Sequence, residues 1–284
     1  MRSILIGEMA KRTYSIVLWV LIIITLASCS KFRKLLRKGD WKAKYEAAIE
    51  YYEDQDYYRA SLLFEDILPI IRGTEEAELG NFYFAYCYYY QKQYILSAHY
   101  FKTFYDVYGR SDYAMEAYFM HGFSLYKQSP KYSLDQSSTY EAVGALQNFL
   151  NKYPYSDYAE QADNIIDELQ VKLERKAYDN AKLFYQIKGI KGYTPALVTF
   201  ENFQRNYPDS KFNEEIAYLI VETQYNYAKQ SIYSKQEERY RETIEKYEMM
   251  LERYPESAFL KEAGELYQKS IEELAKFADS KNKS

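Results

Sequence analysis

The sequence is poor in the residues that break chains, ligate metals or staple folds together. Of 284 residues only 10 are Gly and 6 are Pro. That is too few for the many tight turns of an all-β fold, and far from a collagen-like or low-complexity linker composition. Its two Cys and two His are Cys29, Cys87, His99 and His121. They lack the closely spaced pairs a structural zinc site needs, and they exclude a disulfide framework. Positive charge is not in excess: 37 Lys and Arg against 41 Asp and Glu leave a net charge of −4, which argues against a nucleic-acid footprint. There is no Gly-rich phosphate loop and no Ser/His/Asp or Cys/His set, so catalytic, metal and cofactor sites are all expected to be absent. What remains is 48% apolar and 27% charged, a globular balance, with 35 Tyr against 15 Phe. Something here uses large flat side chains that keep a polar end. At about 150 residues per domain the length allows one large or two ordinary domains.

The first thirty residues have the layout of an export signal. Lys11 and Arg12 flank an apolar run from Ile16 to Leu26. Eleven residues fall short of the ~20 of a membrane-spanning helix but suit a signal-peptide core. The run breaks into Leu26-Ala27-Ser28-Cys29, which resembles the bacterial lipobox at all four positions. That resemblance implies a signal peptide over 1–28 and a mature N-terminus at Cys29. Its sulfur would carry diacylglycerol and its amine an acyl chain such as palmitate, a covalent lipid and not a cofactor. Several acyl chains at about 0.8 kcal/mol per methylene anchor a protein without a spanning helix. The alternative is an uncleaved anchor with an incidental Cys. Met9 offers a second possible start. Ser30 in place of Asp implies delivery to the outer membrane, and the basic Lys31-Phe32-Arg33-Lys34 favours its periplasmic face. Cleavage would remove Arg2, Lys11, Arg12 and Glu8, moving the net charge from −4 to −6. Cys87 would then be the only thiol not lipidated, expected to be buried as a small hydrophobe.

The rest of the chain repeats. Phe104-x-x-x-Tyr108-Gly-Arg-Ser111, Phe149-x-x-x-Tyr153-Pro-Tyr-Ser156, Phe203-x-x-x-Tyr207-Pro-Asp-Ser210 and Met250-x-x-x-Tyr254-Pro-Glu-Ser257 share one pattern, and Ile71-Arg-Gly-Thr74 is a fainter first copy. Each spells helix stop, turn, helix start. Proline cannot continue a helix, and the Ser or Thr is suited to accept from the first free amides of the next helix. Before each stop comes a small residue, a large one four later and an apolar one three later: Ala60/Phe64/Ile67, Ser97/Phe101/Phe104, Ala142/Leu146/Phe149, Ala196/Phe200/Phe203 and Thr243/Tyr247/Met250. These fall on one helical face. The order resembles the tetratricopeptide repeat, with insertions at Ser129–Ser138 and around Lys188–Gly192.

The chain is therefore expected to be all-α: a tetratricopeptide solenoid of about five helix–turn–helix units plus a C-terminal capping helix. Expected helices cover 41–53, 57–71, 75–91, 94–108, 112–127, 138–152, 157–187, 194–206, 211–230, 236–253 and 258–278. Residues 29–39 form a basic lipidated tether, 40–278 the repeat domain, and 279–284 a flexible tail. Each unit buries its apolar face only against its neighbours.

Lipobox, five repeat units and mid-chain insertions together resemble the BamD family, the lipoprotein subunits of the outer-membrane β-barrel assembly (BAM) complex. The most family-like stretch runs from Ala177-Tyr178 through Ala181 and Phe184-Tyr185 to Pro195-Ala196 and Arg205-Asn-Tyr207-Pro208-Asp209-Ser210. The first unit departs from the pattern, with Ile71-Arg-Gly for the Tyr-Pro pair. The resemblance implies a scaffold under the outer membrane that binds the POTRA domains of BamA through its C-terminal units. Its N-terminal units would meet unfolded barrel precursors near their C-terminal strand. Another periplasmic tetratricopeptide scaffold, for cell division or pilus assembly, is the main alternative, and a carbohydrate-binding lipoprotein the third.

In a tetratricopeptide stack the first helix of each unit lines the groove. The candidate precursor-binding residues are Tyr45 and Tyr52 (with Ile49 between them), Phe82, Tyr86, Tyr89 and Tyr90, and Phe119, Phe123 and Tyr126. Aromatic rings give large contact area at low entropy cost, and Tyr adds a hydroxyl. Barrel precursors end in strands with aromatic tips, so such a groove suits them. The competing reading is packing between helices, because 82–90 is aromatic all round, and a helix apolar on every face is usually buried. His99 and His121 are expected to be structural. Acid pairs such as Glu75-Glu76 and Glu214-Glu215 fit first turns, where carboxylates favour the helix dipole.

Overall fold

The computed structural model describes residues 31–187 and 189–282. The signal-like segment and Cys29 lie outside them. Among the described residues there are twelve helices and no strand: α1 over 31–38, α2 Trp41–Glu53, α3 Tyr57–Ile67, α4 Glu75–Tyr90, α5 Tyr94–Val107, α6 Ala114–Gln128, α7 Ser137–Lys152, α8 Ala159–Gln186, α9 Ile190–Asn206, α10 Asn213–Lys229, α11 Tyr233–Arg253 and α12 Leu260–Asn282. This is the all-α, tetratricopeptide-type helical repeat expected from the sequence.

The turn signature has one hydrogen-bond form throughout. At each stop the Tyr N–H donates to the carbonyl four residues back, at 2.7–2.9 Å for Tyr108, Tyr153, Tyr207 and Tyr254. The Tyr carbonyl accepts from the Ser N–H at 2.9–3.3 Å, and the Ser carbonyl from the residue three further on at 3.0–3.2 Å. The faint first copy follows the same staircase through Ile71, Thr74 and Ala77 at 3.0, 3.1 and 3.2 Å. Ser111, Ser210 and Ser257 also accept on Oγ from Tyr113, Phe212 and Phe259 N–H. Two signature positions depart: Thr74 makes no side-chain cap, and the Ser156 hydroxyl is buried with no partner.

The small–large–apolar faces are the core. Ala60, Phe64, Ile67, Ser97, Phe101, Ala142, Leu146, Phe149, Ala196 and Phe200 are all 0% exposed. Each large side chain so buried contributes about 1.5–3 kcal/mol. Tyr247 alone among the large positions stays half-buried. Small residues set the helix separation: a Cβ on Gly122 of α6 would stand 2.7 Å from the Leu146 side chain of α7.

The chain divides into two compact units, one of residues up to 130 with 137–166, the other of 131–136 with 167 onward. In the first, α2/α3, α4/α5 and α6/α7 pair as hairpins, and α3 and α5 each also pack on the next first helix. In the second, α9, α10, α11 and α12 pack in succession, and α12 also touches α10. There α10 is buried on two sides, by Ile216 and Ile220 toward α8 and α9, and by Ala217 and Val221 toward α11 and α12.

Several boundaries move. The stretch read as part of a tether is helical over 31–38, with Phe32 buried against α2 and α3. α3 ends at Ile67, because Pro69 has no N–H to extend the ladder. α9 starts at Ile190, with the Gly189 carbonyl accepting from both Gly192 and Tyr193, so Pro195 sits within the helix. α12 continues to Asn282 through most of the expected tail.

Candidate functional site

The nine candidate groove residues all lie in the first unit, on α2, α4 and α6. Two of them are core. Phe82 is 4% and Phe119 2% exposed; Phe82 packs on Phe101 and Phe104, and Phe119 on Phe149. Neither offers surface to a partner, because each fills the gap between its own helix and the next. Tyr45 is half-buried, edge-on to Phe64.

The other six are linked through ring contacts. Tyr52 stacks on Tyr83 with centroids 4.4 Å apart and meets Tyr57 edge-on. Tyr57 stacks on Tyr90 at 4.4 Å, and Tyr90 on Tyr86 at 5.7 Å. Tyr86 meets Tyr89 edge-on, Tyr89 stacks on Phe123 at 6.0 Å, and Phe123 abuts Tyr126. Tyr90 is 46% exposed, and the rest are half-buried. α4 thus places rings toward both neighbouring first helices, which is why its sequence is aromatic on every side.

Sequence reasoning missed Tyr57 and Tyr83, which join the α2 and α4 rings. Tyr57 opens a second helix, where no groove residue was sought, and Tyr83 is adjacent to a core position. It also missed the carboxylates. The Tyr86 hydroxyl donates to Glu116 of α6. Burial, then that bond, pushes the phenol well above its ordinary range. Burial does the same to Tyr52. These hydroxyls stay neutral donors at any physiological pH. Lys127 lies over the Phe123 and Tyr126 rings, 4.8 and 5.1 Å from the centroids.

The second unit repeats the Tyr-to-Glu arrangement in the stretch that looked most family-like. Tyr178 of α8 donates to Glu215 of α10 at 2.6 Å, and Lys182 donates to both at 2.8 Å. Seven residues on, Tyr185 donates to Glu222 at 2.6 Å. Tyr178 also stacks on Phe212 at 4.2 Å with Arg175 over both rings. Burial raises the Glu215 carboxyl, but the bonds from Lys182 and Tyr178 outweigh it and hold the group below its ordinary range.

The thiol and the His121 imidazole are placed as structural groups, whereas His99 is exposed on α5. Cys87 is 0% exposed and burial pushes its thiol up, so it is no thiolate. His121 has Nδ1 2.9 Å from the Ala98 carbonyl, and burial lowers its basicity. Among the described residues no group of three or more His, Cys, Asp or Glu side chains is arranged to hold a metal ion, and no helix is long and apolar enough to cross a membrane. What the first unit offers chemically is a run of ring edges and faces with a few fixed hydroxyls, suited to holding an extended apolar or aromatic chain.

No curated protein matches the chain. Residues 37–190 and 185–278 match the model of the family described as YfiO, outer membrane lipoprotein. Those two stretches take in the helical repeat from just before α2 into α12, and with them the ring face and the Tyr–Glu pairs of both units; the chain belongs to the YfiO family of outer membrane lipoproteins.

Proposed function

We propose that this protein is a non-catalytic lipoprotein subunit of the machinery that folds and inserts outer-membrane β-barrels. It is held on the periplasmic face of the outer membrane by acyl chains on Cys29. It docks on the POTRA domains of BamA through its C-terminal units and presents Tyr52, Tyr86, Tyr89, Tyr90, Phe123 and Tyr126 to unfolded barrel precursors. The family match over 37–278 carries this reading. The ring face adds a chemical reason, since half-buried Tyr can grip aromatic strand ends by stacking while its hydroxyls bond to backbone.

Affinity capture of the protein from mildly solubilised membranes is expected to recover BamA. Recovery of division or pilus proteins in its place would overturn the assignment. Replacing Tyr86 and Tyr89 together by Ser is expected to weaken photocrosslinking to a precursor while helical circular dichroism is kept. Loss of the helical signal would show that the two rings serve packing.

A further inference from the structure

The first helix stands apart from the rest of an acidic chain. Residues 31–38 read Lys-Phe-Arg-Lys-Leu-Leu-Arg-Lys, five cations with no acid, in a chain of net charge −4. The helical period sorts them. Phe32, Leu35 and Leu36 share one face and pack into the core cluster with residues of α2 and α3. Phe32 is 8% exposed, meets Tyr51 edge-on at 5.6 Å and lies under the Arg59 guanidinium. Lys31, Arg33, Lys34, Arg37 and Lys38 are all exposed. The link to α2 is short and tight. Gly39 N–H donates to the Leu35 carbonyl at 2.7 Å, and Asp40 caps α2 through Ala43 N–H.

α1 is therefore a docked element of the first unit, and its position in the chain says what it faces. Only Ser30 separates Cys29 from Lys31, so their Cα atoms are at most about 7 Å apart. That is within a Debye length of about 10 Å at 0.1 M salt. If Cys29 is lipidated, the start of α1 lies at the headgroups.

We propose that α1 is an electrostatic membrane-docking helix, whose outward cations bind anionic phospholipid headgroups and seat the first repeat unit on the bilayer. The placement rests on the lipidation of Cys29 proposed above. The binding chemistry does not. Because the apolar face is occupied by α2 and α3, α1 has no side left to insert among acyl chains. Its attraction is then purely ionic, unlike that of an ordinary amphipathic membrane helix.

The test uses the chain from residue 29 to 284 with Cys29→Ser, so that acyl chains contribute nothing. Co-sedimentation with phosphatidylglycerol vesicles is expected at about 0.05 M salt and is expected to vanish at about 0.5 M, where screening is short-ranged. Phosphatidylcholine vesicles should capture none. The triple variant Lys31→Gln/Lys34→Gln/Lys38→Gln should bind about a hundredfold more weakly, at roughly fivefold per cation. Lys229→Gln/Lys261→Gln/Lys269→Gln, with the same net charge and exposed positions elsewhere, should bind as before. Equal loss in both variants, equal capture by both lipids, or no capture at all would each overturn the proposal. Circular dichroism confirms that all the proteins are folded. Acyl mass on Cys29 in membrane-extracted protein is measured separately, so failure of the lipidation reading and failure of this one are distinct results.

Discussion

Tyrosine outnumbers phenylalanine here because many rings work at two boundaries at once. Tyr178 stacks on Phe212 and sends its hydroxyl to Glu215; Tyr185 reaches Glu222 and Tyr86 reaches Glu116. A Phe in these places would keep the packing and leave a carboxylate short of a donor. The Tyr178→Phe and Glu215→Gln variants should therefore be coupled. A double-mutant cycle by urea denaturation at neutral pH is expected to give about 1–2 kcal/mol. That lies at and below the low end of the about 1.5–3 kcal/mol of a hydrogen bond to a charged group, since the site is partly open to water. The pH dependence has a definite sign. The folded state holds Glu215 below its unfolded value, so its contribution is present above about pH 4.3 and is lost as pH falls through the lower folded value. Zero coupling at pH 7, or coupling that grows on acidification, would contradict the Tyr178–Glu215 bond.

At the scale of the element, the Tyr-Pro-x-Ser turn recurs with nearly constant backbone geometry but unequal side-chain use. Ser210 accepts from Phe212 N–H at 3.0 Å and donates to Glu174 at 2.6 Å, whereas Ser156 does neither. Ser210→Ala is expected to cost about 1 kcal/mol, as loss of a partly exposed hydrogen bond to a carboxylate does, and Ser156→Ala to be neutral or stabilising, because it removes a buried hydroxyl with no partner. Thermal unfolding of the two variants decides it; equal losses would mean that the shared motif, and not its local bonds, sets the energy. The same contrast marks what a motif can reveal. The turn needs a chain stop and a start, which Tyr-Pro and Ser announce locally. Whether the hydroxyl finds Glu174 depends on a residue 36 positions away.

For the whole molecule, the 129–138 insertion is not a free loop. Residues 131–136 belong to the second unit, where Lys176 donates to the carbonyls of Ser133 and Leu134 at 3.1 and 2.7 Å. Gln136, 4% exposed, closes the strap from within through the Lys131 and Leu134 carbonyls. Lys176→Ala should leave the melting temperature nearly unchanged, since the lost bonds are at the surface, while raising the rate of tryptic cleavage at Lys131. Unaltered cleavage would show that Gln136 holds the strap without help.

Helix content, the five turns and the buried face of each second helix were determined by the sequence itself, because stop signals and three-to-four-residue spacing are local properties of a chain. The lipobox-like stretch over 26–29 and the repeat order likewise sufficed to suggest the family to which the chain belongs. Only the tertiary structure decided which aromatics are core and which are surface. A helix like 82–90, aromatic on every side, has no periodicity to break the tie, so Phe82 and Tyr90 part company only once α2, α5 and α6 are in place. It also decided that a basic stretch expected to tether is a docked helix, since Phe32 finds its burial against Tyr51, nineteen residues away along the chain. Such pairings are set by where elements meet, and no local pattern encodes that.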